Sequence, residues 1–148
     1  MARVLVEIRR AIPASLEAIE DLSLGLRHAL RGSCSRADMF ASELLCREAL
    51  ANAVMHGSAQ DRTRMVAFTA RLRPDSVTMD ITDEGPGFDW RRKAAHSPGD
   101  CDTCGRGLAI YERYASRIRF NHRGNRLIIM RRLGDGARQN NGLENKEK

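Results

Sequence analysis

The alternation of hydrophobic and polar residues along the chain predicts strands and helices in a definite order. Apolar residues at every second position mark five strands, and apolar residues at three- and four-residue steps mark three helices. The strands are predicted at residues 3–10, 64–73, 77–83, 117–121 and 126–133, and the helices at residues 13–31, 36–56 and 106–115. Short polar turns at residues 74–76 and 122–125 join neighbouring strands, which predicts antiparallel hairpins.

The same pattern predicts which residues share a face and where the helices end. Pro13 suits the first turn of the first helix, and Ser35 suits the N-cap of the second. Gly32 and Gly57 are expected to end these helices, with Gly57 in a left-handed conformation. The residues predicted to share a face are Val4, Val6 and Ile8; Leu16, Ile19, Leu22, Leu26 and Leu30; Val66, Phe68, Ala70 and Leu72; and Val77, Met79 and Ile81.

The order of elements predicts an α+β fold. Strands come in pairs without crossovers and helices lie between the pairs, which favours two layers: a mixed, mostly antiparallel sheet with helices on one face. Residues 1–133 are predicted to form a single domain, and the polar tail at residues 134–148 is predicted to be disordered. Dimerisation along the first strand is one way to protect the edge of such a sheet.

Composition narrows the class of protein. The chain has 148 residues, 42% hydrophobic and 30% charged, as expected of a soluble globular domain. No apolar run approaches the roughly 20 residues of a membrane span. The N-terminal apolar run contains Arg3 and Glu7, so it is predicted to be a strand and not a signal peptide, and the protein is expected to stay in the cytoplasm.

The charge and the cysteines say less about the function of the protein than the hydrophobic pattern says about its fold. The net charge is +6, but the arginines, including Arg131 and Arg132, are scattered and aromatic residues make up only 5%, which disfavours direct nucleic-acid binding. We interpret the arginines mainly as solvated surface, with a nucleotide or an acidic protein as the partner they would favour. Cys46 is expected in the core. Cys101 and Cys104 form a Cys-x-x-Cys pair without the second pair that a zinc site needs, and are expected to be two thiols in a loop.

The second predicted helix carries two polar residues that need an explanation. Glu48 and Asn52 are four residues apart and therefore share a helix face. The oxygen of Asn52 suits Mg²⁺, which often keeps water and substrate phosphates as its other ligands. Glu48 could deprotonate or orient a hydroxyl nucleophile. A salt bridge for Glu48 and a surface amide for Asn52 are the simpler alternatives, and His56 is more suited to ending the helix than to catalysis.

Two glycine motifs follow this helix. Asp83 ends a strand and precedes Gly85 and Gly87, so a ligand could approach the backbone while the carboxylate accepts a hydrogen bond from an exocyclic amino group. A simple turn capped by Asp83 is the alternative. Gly105-Arg106-Gly107 opens the third helix, where backbone N–H groups can bind phosphate, although helices often start after glycine. The long loop at residues 84–104 between these motifs is typical of a lid.

Taken together and in this order, the three motifs resemble those of the GHKL ATPase superfamily, which includes gyrase, mismatch-repair and chaperone ATPases and histidine kinases. Residues 48–57 resemble its N box, residues 83–87 its first glycine box and residues 105–108 its second. Within the superfamily the chain is similar to the anti-sigma-factor serine kinases, whose motifs match at Gly87-Phe88-Asp89 and Gly105-Arg106-Gly107-Leu108. The resemblance covers residues 3–133 and implies a Bergerat-type ATP-binding fold.

The resemblance also implies roles for individual residues. Asn52 would coordinate Mg²⁺, Glu48 would be the catalytic base, and Asp83 would bind the adenine amino group of ATP. The segment at residues 90–104 would be the ATP lid. The remaining nucleotide-binding residues implied by the motifs are His56, Gly85, Gly87, Phe88, Gly105, Arg106, Gly107 and Leu108. The chain departs from the family pattern at Asn125, where a threonine is frequent, and in its Cys-x-x-Cys pair.

The implied activity is that of a serine/threonine protein kinase. Its substrate would be a STAS-domain anti-sigma-factor antagonist, and the kinase, as a homodimer, would bind a sigma factor or another regulated protein in a partner-switching system. A histidine kinase or a gyrase-type enzyme would need further domains that 148 residues do not accommodate. A nucleotide-gated binding module without kinase activity is the main alternative, and a basic nucleic-acid-binding domain is the weaker one.

Overall fold

A computed structural model of the protein describes residues 2–59, 61–87 and 104–134, with the backbone alone described at 104–106. Five strands, three α-helices and one π-helical turn occur in these ranges. In chain order the elements are β1 (Val6–Pro13), α1 (Leu16–Leu30), α2 (Arg36–Asn52), the π-helical turn (Ala53–Gly57), β2 (Met65–Leu72), β3 (Ser76–Asp83), α3 (Cys104–Tyr114), β4 (Arg117–Phe120) and β5 (Arg126–Arg132).

The strands form one five-stranded sheet in the order β1-β2-β3-β5-β4. All four pairings are antiparallel. The described sheet is therefore purely antiparallel, whereas the sequence predicted a mixed, mostly antiparallel sheet. α1 packs on β1, α2 packs on β3 and β5, and α3 packs on α2. The α+β class and the two-layer arrangement are therefore confirmed.

The core lies between the helices and the inward face of the sheet. Alternation correctly predicted this face in β2 and β3, where Val66, Phe68, Val77 and Met79 are at most 1% exposed. Cys46 is fully buried in α2, and burial raises the pKa of its thiol to about 12, as expected of an inert core cysteine.

β1 begins three residues later than predicted, since Val6 pairs with Leu72 and Pro13 pairs with Met65. Pro13 is thus the last residue of an edge strand, where its missing N–H is tolerated, and the prediction that it opens α1 is wrong. Ser15 is the actual N-cap, because its hydroxyl accepts a hydrogen bond from the Ala18 N–H.

The buried face of α1 was predicted correctly except at its first residue. Leu16 is 51% exposed, whereas Ile19, Leu22, Leu26 and Leu30 are buried. Ser35 caps α2 as predicted, accepting from the Asp38 N–H at 3.1 Å. Gly32 has a φ of +77° after α1, as a helix stop requires.

Arg131 is not the solvated surface charge that the sequence suggested. Its side chain is 3% exposed, and its guanidinium contacts the Asp38 carboxylate at 2.9 Å. It also donates to the Tyr114 carbonyl oxygen at 2.6 Å, while Asp38 accepts from the Gly134 N–H at 2.9 Å. Burial alone would raise the pKa of Asp38, but the Gly134 N–H, Arg131 and the Ser35 hydroxyl hold it below its usual value. This pair ties the start of α2 to the ends of α3 and β5.

Several predictions concern residues outside the described ranges. They are residues 90–103 of the predicted lid, the tail beyond residue 134, Phe88, and Cys101. Cys104, predicted as the last residue of the lid, is instead the first residue of α3. In the described ranges, no helix combines the length and apolar character needed to cross a membrane.

Candidate functional site

The centre of the candidate site is the contact between α2 and α3. Glu48 and Asn52 lie on the face of α2 against which the first turns of α3 pack. A Cβ at Gly107 would lie 3.3 Å from both Asn52 Nδ2 and Glu48 Oε2. Any side chain at Gly107 would therefore crowd both polar groups. The second glycine motif and the polar residues of α2 meet here.

Asn52 has a hydrogen-bond partner that the sequence did not reveal. Its Nδ2 donates to the hydroxyl of Tyr111 at 2.9 Å, across the α2–α3 contact. Tyr111 is only 2% exposed. Burial raises the pKa of its hydroxyl, the Asn52 hydrogen bond lowers it, and the negative charge of Glu48 raises it further. The hydroxyl therefore stays protonated and neutral at physiological pH.

Asp83 is buried at the end of β3, below the π-helical turn. It is 6% exposed, and its Oδ1 accepts a hydrogen bond from the Gly85 N–H at 2.8 Å. Burial raises the pKa of this carboxyl, while the Gly85 N–H and the positive charges of Arg64 and Arg123 lower it in part. A buried carboxylate with one remaining oxygen can accept a hydrogen bond from an amino group of a ligand.

The glycines of this region are required by close contacts. A Cβ at Gly57 would stand 2.3 Å from Asp83 Oδ2, and a Cβ at Gly85 would stand 1.7 Å from the Gly57 carbonyl oxygen. Gly57 does not adopt a positive φ, so its predicted role as a left-handed helix stop is wrong. Its role is to let the π-helical turn lie directly on the carboxylate of Asp83.

The first glycine motif also packs against the β4–β5 turn. Gly87 has a φ of +84°, and a Cβ there would lie 1.9 Å from the Arg123 carbonyl oxygen. Arg123 in turn donates from Nε to the Pro86 carbonyl oxygen at 3.3 Å. The Asn125 side chain donates to the main-chain oxygen of Asp83 at 3.3 Å. These contacts hold the first glycine motif against the β4–β5 turn.

An open pocket lies between these elements. Its polar lining includes Asn52, Asp83, Tyr111 and Asn125. The other lining residues are mainly apolar: Ala49, Ala53, Ile81, Phe120, Gly124, Arg126 and Leu127. An apolar pocket with a few convergent polar groups suits a planar ring that carries an amino group.

The side chains present also fit a divalent cation held mainly by a nucleotide. Within the described part of the chain, no three His, Cys, Asp or Glu side chains cluster as a metal site. A cation at the Asn52 oxygen would therefore draw its other ligands from water and phosphate oxygens, as Mg²⁺ commonly does. The donor set is compatible with Mg²⁺ at a nucleotide.

The structure brings most of the predicted residues together. Asn52 and Asp83 line the pocket, Gly85 and Gly107 lie at the contacts just given, and Glu48 lies one helical turn before Asn52. Gly105 and Arg106 are in the first turn of α3, where only the backbone is described, and half-buried Leu108 packs against the core.

His56 and Tyr111 are the residues that the structure places differently. His56 is exposed in the π-helical turn and does not line this pocket, and its contact with a nucleotide stays a prediction. Tyr111 lies on the apolar side of α3, and no motif in the sequence marked it as a residue of the site. Its spacing from Gly107 by four residues places both on one face, which was the one available signal.

An antiparallel sheet with helices on one face carries a mainly apolar pocket lined by Asn52 and the buried Asp83, and this arrangement suits a nucleotide-binding domain. The family model of the histidine kinase-like ATPase domain matches residues 12–131, which is most of the chain. The protein therefore belongs to this family, within the GHKL superfamily, and its domain is of the ATP-binding type. No curated protein matches the sequence.

Proposed function

We propose that the protein is an ATP-dependent serine/threonine kinase and anti-sigma factor. Its substrate is a STAS-domain anti-sigma-factor antagonist in a cytoplasmic partner-switching system. Membership of the histidine kinase-like ATPase family supports the use of ATP. The match of residues 87–89 and 105–108 to the anti-sigma-factor kinases supports the narrower assignment.

The observation that carries the kinase proposal is the state of Glu48. In the described part of the chain, its carboxylate has no ion-pair or hydrogen-bond partner, although it is half-buried. The neighbouring Glu43, by contrast, is held by Arg27 and Arg47. A salt-bridge role for Glu48 therefore has no support from these residues. A carboxylate beside a nucleotide pocket without such a partner is suited to accept a proton.

The nucleotide would lie with its adenine near Asp83 and its phosphates toward Asn52 and the start of α3. Asp83 would accept a hydrogen bond from the adenine amino group. Backbone N–H groups at residues 105–107 would face the phosphates, because a helix N-terminus attracts negative charge. Bound Mg²⁺ would neutralise charge on the phosphates, with Asn52 as its protein ligand.

In the transfer step, the side-chain oxygen of a substrate serine or threonine forms a bond to the γ-phosphorus of ATP. The bond between that phosphorus and the β–γ bridging oxygen breaks, and ADP leaves. Glu48 accepts the proton of the hydroxyl. The buried, neutral Tyr111 and the packed α2–α3 contact hold Glu48 and Asn52 in fixed relative positions.

The protein would act as a homodimer and switch between the antagonist and a sigma factor or another regulated protein. The net charge of +6 would favour acidic surfaces on these partners. A nucleotide-gated binding module would use the same pocket without the proton transfer. The kinase therefore needs the Glu48 carboxylate, and the binding module does not.

Label transfer from ATP labelled at the γ-phosphate to the purified STAS-domain protein tests the proposal. The wild type should label the substrate, and Glu48→Gln should lower the rate by about 100-fold or more, in the range of a lost general base. Glu112→Gln, on the exposed side of α3, makes the same change of charge and should leave the rate unchanged.

Equal rates for Glu48→Gln and the wild type would overturn the role of Glu48. ATP-dependent partner binding that is lost in Asn52→Ala, together with no labelled protein in any sample, would support the binding module instead.

A further inference from the structure

We infer that α2 and α3 carry a docking surface for the protein substrate of the proposed kinase. This Phe40 surface consists of Phe40, Tyr114, Arg36 and Arg113. Its occupant is a protein that places an apolar side chain with acidic neighbours against Phe40, while its serine or threonine hydroxyl lies at Glu48. The inference therefore rests on the role of Glu48 in the proposed function.

The contact between α2 and α3 leads from the nucleotide pocket to this surface. At the pocket, a Cβ on Gly107 would lie 3.3 Å from Glu48 Oε2. At the last residue of α3, the ring of Tyr114 meets the ring of Phe40 edge-on, with 6.2 Å between the ring centroids. The two helices therefore run side by side in opposite directions, with Glu48 near one end of their contact and Phe40 at the other.

The distance along α2 suits a protein substrate. Phe40, Leu44 and Glu48 follow one another at four-residue steps and form one ridge of the helix. A rise of about 1.5 Å per residue places Phe40 roughly 12 Å from Glu48 along the helix axis. A stable complex covers about 800 Å² on each partner, which corresponds to a disc of about 16 Å radius. A contact of this size centred near Glu48 includes Phe40.

The exposure of Phe40 is unusual for this chain. The residue is 57% exposed, the largest value among the large hydrophobic residues that the structure describes. Aromatic residues and arginine are enriched at protein interfaces. The half-buried Tyr114 supports the Phe40 ring, which reduces the entropy that the ring would lose on binding. Phe40 is therefore suited to contact an apolar side chain of a partner.

The charges at this end of α2 favour an acidic partner. Arg36 lies one turn before Phe40 on the same ridge, and the guanidinium carbon of Arg113 lies 5.7 Å from the centroid of the Tyr114 ring. In the described part of the chain, neither arginine has an ion-pair partner, whereas Arg47 of α2 is paired with two glutamates. Unpaired guanidinium groups beside an exposed ring match a surface that carries Asp or Glu around an apolar side chain.

The first test separates docking from chemistry. Transfer from ATP to the STAS-domain protein is measured at saturating Mg²⁺ and ATP, which gives kcat and KM for the protein substrate. Phe40→Ala should raise KM about 5-fold or more, as at an interface hot spot, and leave kcat and the Kd for ATP within about 2-fold. Phe40→Tyr keeps the ring and should keep KM within about 2-fold. Leu16→Ala is the matched control, because Leu16 is 51% exposed at the start of α1, and its KM should equal that of the wild type.

Charge reversal provides the second arm. Arg113→Glu should raise KM about 5-fold or more at low salt, and its KM should depend less on salt than that of the wild type. Arg119→Glu makes the same change of net charge at an exposed residue of β4 and should change KM less than about 2-fold. Equal effects at the two positions would show that only the overall charge matters, and would contradict the inference.

An unchanged KM in Phe40→Ala, or an equal rise in Leu16→Ala, would overturn the inference. A lower molecular mass of Phe40→Ala than of the wild type in light scattering would show that a second copy of the chain covers Phe40, and would also overturn it. If the wild type transfers no phosphate, the kinase proposal fails, and calorimetric binding of the STAS-domain protein in the presence of ATP decides the docking surface. Binding at least about 5-fold weaker in Phe40→Ala alone would then support the surface, whereas no binding, or equal affinity in Phe40→Ala and the wild type, would overturn it.

Discussion

Gly57 lies directly on the carboxylate of Asp83: a Cβ at Gly57 would stand 2.3 Å from Asp83 Oδ2 and 2.7 Å from Oδ1. Carbon and oxygen atoms do not approach this closely without displacement. The π-helical turn that follows α2 can therefore pack directly against the end of β3 only because residue 57 has no side chain.

Gly57→Ala should weaken ATP binding and stability together. The added methyl group must push Asp83 or the backbone of the turn aside, at a cost of about 1–3 kcal/mol in the free energy of unfolding. Displacement of Asp83 should raise the Kd for ATP about tenfold or more. Urea unfolding and calorimetric ATP titration measure the two effects.

Gly25→Ala is the matched control for this substitution. Gly25 lies within α1, and a Cβ there meets no atom within 4 Å. Alanine should stabilise the helix by about 0.5–1 kcal/mol and leave the Kd for ATP unchanged. Effects of the same sign at Gly25 and Gly57 would contradict the assigned contact.

The stability contribution of Asp83 should depend on pH. Burial raises the pKa of this carboxyl in the folded protein above its ordinary value of 3.8. The folded state therefore binds protons more tightly than the unfolded state, so the wild type loses stability as pH rises from 3.8 through the folded pKa.

The asparagine side chain in Asp83→Asn does not titrate, so comparison with the wild type isolates the pH dependence that Asp83 contributes to stability. Its free energy of unfolding relative to the wild type should increase as pH rises through that window and level off above it. Urea unfolding of both proteins at half-unit pH steps gives the difference. A difference that stays constant, or that falls with rising pH, would show that the folded pKa of Asp83 is not raised.

Arg131→Met should be strongly destabilising. It leaves the Asp38 carboxylate, 5% exposed, without its guanidinium partner, and it removes a donor from the Tyr114 carbonyl. Loss of one member of a buried ion pair costs about 3–5 kcal/mol. Chemical denaturation measures the loss.

The adjacent Arg132→Met is the control, because Arg132 is exposed on the same strand. Its effect should stay within about 0.5 kcal/mol, as for most surface changes. A loss of similar size at both positions would mean that the Asp38–Arg131 pair has no special role in stability.

Much of this fold could be predicted from the sequence because alternation and turn chemistry are local. The faces of β2 and β3 followed from every second residue being apolar, and the hairpins followed from their turns. The bounds of β1 could not be predicted in this way, because its register is set by pairing of Val6 with Leu72, which are 66 positions apart in the numbering (72 − 6).

The motifs of the site could be predicted from the sequence, but the contacts between their side chains could not. The spacing of Glu48 and Asn52 placed them on one helix face, and Asp83 was expected to end its strand. The hydroxyl of Tyr111 is one atom on a residue whose position indicates only burial, so its bond to Asn52 could not be foreseen. The same holds for Arg131, since no local pattern tells a buried arginine from its exposed neighbour.

The most direct test of the proposed kinase is the mass and site of the phosphoryl group on the STAS-domain protein after incubation with ATP, Mg²⁺ and this chain. Intact-mass and fragment-ion spectrometry should find one phosphoryl group, stable to acid, on a serine or threonine, and Glu48→Gln should form it about 100-fold or more slowly. A substrate without any phosphoryl group, or an acid-labile phosphoryl group on a histidine, would contradict the account.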